Sequence, residues 1–275
     1  MTARAFLIRG LVAGLVAGIA TFFVAYSVGE PHVEAAIALE ESAAASGEAP
    51  AEGSHDHGDE PSGGHSDTDS HSHGEEDENT AVSRGTQRTW GLLTGSLAVG
   101  VALGGIVALV AAGAVGRMGG LQPGQSTALV ALLGFVAFAL VPFLKYPANP
   151  PAVGSADTIG DRTALYFGFV VVSVLVAVSA TYAGLRLCDR LGTFGGVVVG
   201  AAGYLVVMVV AGQLFATVNE VGDFPGDTLW FFRRASLFTL ATMWGVIGVV
   251  LTGLVGRLYA AQTAQAQRRA LAASL

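Results

Sequence analysis

Six long apolar segments, with one charged residue near the start of the first, dominate this chain. A helix that crosses a membrane needs about 20 mostly apolar residues, and it satisfies its backbone polar groups internally. Each segment is close to that length or longer. They cover roughly residues 6–28, 90–115, 126–144, 164–185, 194–216 and 235–255. The sequence therefore predicts an all-α polytopic membrane protein with about six transmembrane helices.

Charged residues are concentrated between the first two apolar segments. On this basis we divide the chain into four regions. We assign residues 1–29 to the first transmembrane helix, 30–89 to an extracytoplasmic loop rich in histidine and acidic residues, 90–260 to a five-helix bundle and 261–275 to a cytoplasmic tail. A cleaved signal peptide is the alternative for the first region. Its apolar stretch is nearer to about 20 residues than to the usual 7–15, so we expect a retained anchor.

The distribution of basic residues favours a multi-pass protein of the cell membrane with both termini in the cytoplasm. With six spans, eight arginines lie inside, and five arginines and one lysine lie outside, which agrees with the positive-inside rule. All six histidines and 20 of the 21 acidic residues then fall outside. The inverted orientation is the alternative, and it would place the histidine-rich loop in the cytoplasm.

The loop between the first two spans carries the most specific chemical signal. Residues 42–80 contain little apolar material, so we expect this stretch to be disordered when empty. Imidazole groups suit Co, Ni, Zn and Cu, and neighbouring carboxylates can complete the coordination shell. A solvated acidic linker is the alternative interpretation, but five histidines within 19 residues favour capture of a metal ion. These histidines are His55, His57, His65, His71 and His73.

Polar residues at the predicted outer ends of the helices form three further patches. The first holds His32 and Glu34, the second Tyr146 and Asn149, and the third Asn219 and Glu220. Carboxylate, amide and carbonyl groups at a pore mouth can replace the water around a divalent cation. The alternative is that these residues form loop turns, with Glu220 paired to Arg233 or Arg234 just before the sixth segment. Our candidates for a transport pathway are Glu34, Tyr146, Asn149, Asn219 and Glu220, and His32 joins the five loop histidines as a candidate metal ligand.

Glycine spacing indicates how the helices pack. Gly10, Gly14 and Gly18 form two overlapping GxxxG units in the first segment, and Gly100 and Gly104 form another in the second. Small residues four apart let helix backbones approach closely. We expect a compact bundle.

Several classes of function are disfavoured by the residues that the chain lacks. Its single cysteine, Cys188, cannot form an internal disulfide or a CxxC metal site. Its single lysine, Lys145, follows no glycine-rich loop, so the chain is not expected to be an ATPase. No histidine lies inside a predicted span, and no Ser/His or Asp/Asp arrangement lies at membrane depth, as an intramembrane enzyme would need. We expect no enzymatic activity and no nucleic-acid partner.

Three stretches resemble one known family over nearly the whole chain. Residues 143–154 read FLKYPANPPAVG, residues 219–237 begin NEVGDFP, and residues 29–41 read GEPHVEAAIALEE. These stretches are similar to the CbtA family of predicted cobalt transporter subunits. The resemblance implies cobalt uptake linked to cobalamin synthesis and a small one-span partner, CbtB, with histidines of its own. The family is usually described with five spans, whereas this sequence has six apolar segments.

These observations together predict a membrane subunit of a divalent metal uptake system. Cobalt is the favoured ion, with nickel, zinc and copper as alternatives, and lipid surrounds the bundle. The histidine-rich loop is expected to capture the metal, and the outer rim is expected to pass it into the bundle. The alternative is a membrane-anchored metal scavenger or sensor that delivers ions to another permease.

Overall fold

The computed structural model describes residues 2–47, 82–154 and 156–274. All regular secondary structure within these ranges is helical, and short π-helical turns join α1 to α2, α3 to α4 and α5 to α6. The helices are α1 (Ala3–Val24), α2 (Glu30–Gly47), α3 (Arg84–Thr86), α4 (Leu92–Ala114), α5 (Pro123–Gly134), α6 (Val141–Lys145), α7 (Ile159–Leu214) and α8 (Gly226–Ala273).

Within these ranges, five continuous helices are long and apolar enough to cross a membrane, against the six predicted. They cover Ala3–Ala45, Arg84–Ala114, Pro123–Lys145, Ile159–Leu214 and Gly226–Ala273. The all-α fold with several apolar helices is therefore confirmed. The difference in number arises from the fourth and fifth predicted segments, which both lie within α7.

Helix α7 reverses direction at Gly192. This residue has φ 74° and ψ 168° inside a helix of 56 residues, and glycine reaches this left-handed region without the strain that a Cβ would impose. The hydroxyls of Ser173 and Tyr204 are 2.8 Å apart although 31 positions separate them. A straight helix would hold them about 46 Å apart at about 1.5 Å per residue. The two arms of α7 therefore fold back along each other.

Close backbone contact joins α1 to α4. A Cβ added to Gly14 would collide with the carbonyl oxygen of Gly100, and one added to Gly18 would come within 2.7 Å of the Ser96 carbonyl. Gly10 and Gly104 meet in the same way. The GxxxG spacing predicted close helix packing in general, and the structure shows that the packing joins α1 to α4, where only small residues permit it.

The described residues form two apolar clusters. The first joins α1, α4, α5 and α8 around the buried side chains of Phe6, Trp244, Ile247 and Leu251. The second lies mainly between the two arms of α7, around Phe169 and Met208, with partly buried residues of the α5–α6 segment packed against it. The α5–α6 segment therefore lies between two packing units.

The helix that contains α1 and α2 extends well beyond the thickness of a bilayer. Its 43 residues, Ala3–Ala45, span about 65 Å at about 1.5 Å per residue, about twice the hydrocarbon core. The part assigned from sequence to a loop without structure begins at residue 42, but α2 runs to Gly47. That boundary was wrong because alanine and glutamate, both strong helix formers, continue the helix. Residues 48–81 lie outside the described ranges.

Ion pairs tie the start of α2 to the helix that follows the loop. Arg84 Nη2 lies 2.6 Å from Glu30 Oε2, and Arg88 pairs with Glu34. Arg88 also donates a hydrogen bond of 3.2 Å to the Tyr26 hydroxyl. These contacts extend the pairing of α1 with α4 past the glycine residues. The two chain segments that enter and leave the loop region are therefore held side by side.

Candidate functional site

A cavity of about 1000 Å³ opens where the ends of several helices converge. Its walls come from the π-helical turn after α1, the starts of α2, α4, α7 and α8, the end of α6, and the α6–α7 and α7–α8 connections. In the predicted topology all of these positions lie at the outer ends of the spans. Pro142, which has no N–H to donate to the carbonyl of Phe138, follows the π-helical turn Phe135–Leu140 and precedes the α6 end of the cavity.

Four of the residues predicted for the pathway line this one cavity. They are Tyr146, Asn149, Asn219 and Glu220, from two connections more than 60 positions apart in the chain. The structure therefore brings the second and third polar patches together. It does not bring all of the first patch with them, since Glu34 pairs with Arg88 and Glu30 lines the cavity instead.

His32 contacts α8 rather than the cavity wall. Its ring stacks on that of Phe231, with centroids 5.8 Å apart and planes 11° from parallel. Arg234 lies over the same phenylalanine, 4.8 Å from its centroid. The described contacts of His32 are thus aromatic, and the five loop histidines lie outside the described residues.

Glu220 is held by residues at the start of α7. Thr158 Oγ1 donates a hydrogen bond of 3.0 Å to Glu220 Oε2. The same oxygen is 3.4 Å from Arg162 Nη1, and both side chains are about a quarter exposed, at 24% and 23%. Arg162 was not among the candidate residues. Its position just before the fourth apolar segment does indicate a residue at the outer end of a span. Its pairing with Glu220 depends on tertiary structure that local sequence does not reveal.

Hydrogen bonds from Arg233 and Tyr146 hold the connection between α6 and α7 in place. Arg233 Nη2 donates to Asn149 Oδ1 at 3.0 Å, and its Nε donates to the Ala148 carbonyl at 3.4 Å. The Tyr146 hydroxyl donates to the Ala216 carbonyl at 2.7 Å, and burial raises the pKa of Tyr146, which keeps this donor protonated. The amide oxygen of Asn149 and the hydroxyl of Tyr146 are therefore already engaged.

The charged residues of the cavity wall include more cations than anions. Lys145, Arg162 and Arg233 contribute positive charge, and Glu30 and Glu220 contribute negative charge. Within the described ranges, no group of three or more His, Cys, Asp or Glu residues is arranged to hold a metal ion. The wall thus offers two carboxylates, each held by an arginine, with hydroxyl and amide groups around Glu220.

A second cavity, of about 310 Å³, adjoins the first and reaches deeper into the bundle. Tyr166, Thr239 and Leu240 line both cavities. Deeper in, the Thr21 hydroxyl donates to the Met243 sulfur at 3.7 Å, and both residues line the smaller cavity. Hydroxyl and thioether groups therefore continue inward from the wider cavity, and these inner positions were not predicted from the sequence.

One comparison with known proteins identifies a relationship. A family model described as a probable cobalt transporter subunit, CbtA, matches residues 3–256. No curated protein and no solved structure gives a significant match. The family match covers every predicted span and both connections that line the cavity.

Proposed function

The chain belongs to the CbtA family, described as probable cobalt transporter subunits, and we propose that its wide cavity receives divalent cobalt from outside the cell. The observation that carries this proposal is the convergence of Tyr146, Asn149, Asn219 and Glu220 on one cavity. Nickel, zinc and copper remain competing ions because oxygen ligands discriminate weakly among them. The small adjoining cavity, which contains Thr21 and Met243, continues the route inward.

Glu220 is the proposed metal ligand of the cavity. Its carboxylate is partly exposed and lies 3.4 Å from Arg162, so an arriving cation can replace the guanidinium as its partner. Asn219 follows in the same wall and supplies a neutral oxygen. A site of hard oxygen ligands binds such ions more weakly than a histidine cluster does, and a transport site has to release its ion.

The histidine-rich loop acts as a metal antenna in this proposal. His55, His57, His65, His71 and His73 gather metal at low concentration, and the helix ends beside the cavity receive it. A small one-span partner of the CbtB type completes the transporter. In support, the described residues contain no Asp, Glu, His, Lys or Arg in the middle of a span that would relay protons, so the energy source is assigned outside this chain.

The antenna predicts a pH-dependent affinity. The full chain should bind cobalt several-fold more weakly at pH 5 than at pH 7, because a histidine with an ordinary pKa near 6.5 must lose its proton to coordinate metal. Calorimetry on the purified protein measures this. A matched variant with the five loop histidines changed to glutamine should no longer release the heat of high-affinity cobalt binding at pH 7. Equal heats at both pH values would exclude histidine ligation.

We further propose that the chain crosses the membrane six times, with both termini in the cytoplasm. The reversal of α7 at Gly192 supports two crossings by its two arms. Two variants in a Cys188→Ser background test this, one with cysteine at Ser62 and one with cysteine at Ser274. An impermeant thiol reagent applied to intact cells should label the first and not the second. The opposite pattern would establish the inverted orientation, and labelling of both would leave five crossings.

Reconstituted vesicles test the proposed function directly. Vesicles that contain the full chain and the partner should accumulate cobalt, and vesicles that lack the partner should accumulate less. Deletion of residues 54–80 should reduce uptake at low metal while sparing uptake at high metal. Binding by the loop without uptake under either condition would favour the scavenger that delivers ions to another permease.

A further inference from the structure

The wide cavity is poorly suited to a bare divalent cation. Of its charged wall residues, Glu30 is paired with Arg84, with 2.6 Å between the charged atoms, and Glu220 is paired with Arg162. Within the described ranges, Lys145 and Arg233 have no carboxylate within 4 Å. The unneutralised charge of the wall is therefore positive, and it repels a cation that arrives without its own anionic ligands.

Arg233 has the geometry of an anion-binding group. It is half-buried, and it donates hydrogen bonds to the neutral oxygens of Ala148 and Asn149. A planar guanidinium with further N–H donors pairs well with carboxylates, and partial burial strengthens such pairs. Lys145 lies on the same wall, 5.5 Å from the Tyr146 ring centroid, and adds a second positive charge.

The size of the cavity leads to the same conclusion. Six water molecules around an ion occupy roughly 180 Å³, at about 30 Å³ each, whereas the cavity measures about 1000 Å³. Volumes of roughly 300–1000 Å³ are typical of sites for small organic ligands. A phosphate head group that brings no cation would pair with Arg233 and Lys145 but would offer Glu220 no partner, whereas a metal chelate offers partners to both kinds of wall residue.

We propose that the cavity binds the metal as a chelate with a small carboxylic acid, so that the bound species carries both the cation and anionic oxygens. This inference rests on the proposed function and names the form in which the metal arrives. On binding, the Glu220–Arg162 pair and one metal–carboxylate bond of the chelate exchange partners. Glu220 then coordinates the metal, and Arg162 pairs with the released carboxylate. Arg233 and Lys145 hold the remaining carboxylates, and total charge is conserved.

Vesicle uptake at a fixed concentration of free cobalt tests the proposal. The total concentration of cobalt citrate is raised tenfold while free Co²⁺ is buffered at one value. We expect uptake to rise at least fivefold. Uptake that follows free Co²⁺ alone would overturn the chelate and leave the proposed function standing. Absence of uptake from both forms would overturn the proposed function itself.

Variants connect this result to the cavity. Arg233→Gln should lower citrate-dependent uptake at least tenfold, whereas Arg234→Gln, the adjacent exposed arginine outside the cavity wall, should leave it unchanged. If Arg233→Gln fails to fold, Lys145→Gln provides the same test with an expected loss of several-fold. Equal losses in Arg233→Gln and Arg234→Gln, or no loss in a folded cavity variant, would contradict the proposal.

A final comparison distinguishes a soluble chelate from lipid. Thermal unfolding is measured in neutral phosphatidylcholine, with cobalt citrate or with added phosphatidylglycerol. We expect cobalt citrate to stabilise the native chain and to lose this effect in the cavity variant. Stabilisation by phosphatidylglycerol alone, lost in the same variant, would identify the cavity as a lipid site and overturn the chelate.

Discussion

Glu220→Gln is expected to lower cobalt uptake by reconstituted vesicles at least tenfold while metal binding by the histidine-rich loop persists. The substitution keeps the size of the side chain and an oxygen that can accept the Thr158 hydrogen bond, but it removes the charge that the metal needs. A tenfold loss corresponds to about 1.4 kcal/mol, which lies within the range for one charged contact. Initial rates of uptake at saturating and at limiting cobalt measure the effect.

The control has to separate transport from stability, because the same substitution removes the ion pair with Arg162. Asp223→Asn makes the same chemical change in the same connection, at an exposed position that does not line the cavity. It should leave uptake unchanged, and both variants should yield similar amounts of folded protein. Normal uptake in Glu220→Gln, or a loss of uptake matched by a loss of folded protein, would remove Glu220 from the pathway.

Gly14→Ala should destabilise the bundle strongly for a change of one methyl group. The new Cβ would overlap the carbonyl oxygen of Gly100, and both partners are backbone, so neither can move aside without separating α1 from α4. Overpacking of this kind costs about 1–3 kcal/mol. Thermal unfolding in detergent should show a midpoint lowered by roughly 5 °C or more, with a reduced yield of folded protein.

Gly113→Ala is the matched control, since a Cβ at this α4 position meets nothing within 4 Å. Replacement of glycine by alanine in an open helix position favours the helix by about 1 kcal/mol, so this variant should be as stable as the native chain or more so. Gly100→Ala should behave like Gly14→Ala because its Cβ would meet Gly14 across the same contact. Equal unfolding midpoints for Gly14→Ala and Gly113→Ala would show that the two backbones are not in contact.

Local sequence predicted the helical class of this protein and the close packing that its glycine repeats permit, although not which helices meet there. Both features can be recognised from local sequence. An uninterrupted apolar stretch of sufficient length indicates a membrane-spanning helix, and the spacing of Gly10, Gly14 and Gly18 indicates a helix face that packs closely. The reversal at Gly192 is different. A single residue leaves the helical region there, so two predicted segments appear as one long helix.

The candidate site was predicted in part for a similar reason. Asn149 and Glu220 stand in polar connections between apolar segments, and this marked them as residues of the outer rim. The arginines that hold them were harder to identify, since Arg162 and Arg233 reach their partners across 58 and 84 positions. Glu34 was predicted as a pathway residue because of its position in the first polar patch. In the structure its carboxylate pairs with Arg88, which precedes α4, and it does not line the cavity.

The two apolar clusters have a consequence for how this protein can work. The wide cavity is bounded on one side by residues of α4 and α8, which belong to the first cluster together with α1. On the other side it is bounded by the start of α7, which belongs to the second cluster, and by the connection that follows α7. The glycine contacts leave α1 and α4 no room to slide. Any opening or closing of the wide cavity would therefore move the two arms of α7 together, as one rigid body, against the other helices, with the α5–α6 segment between the two units.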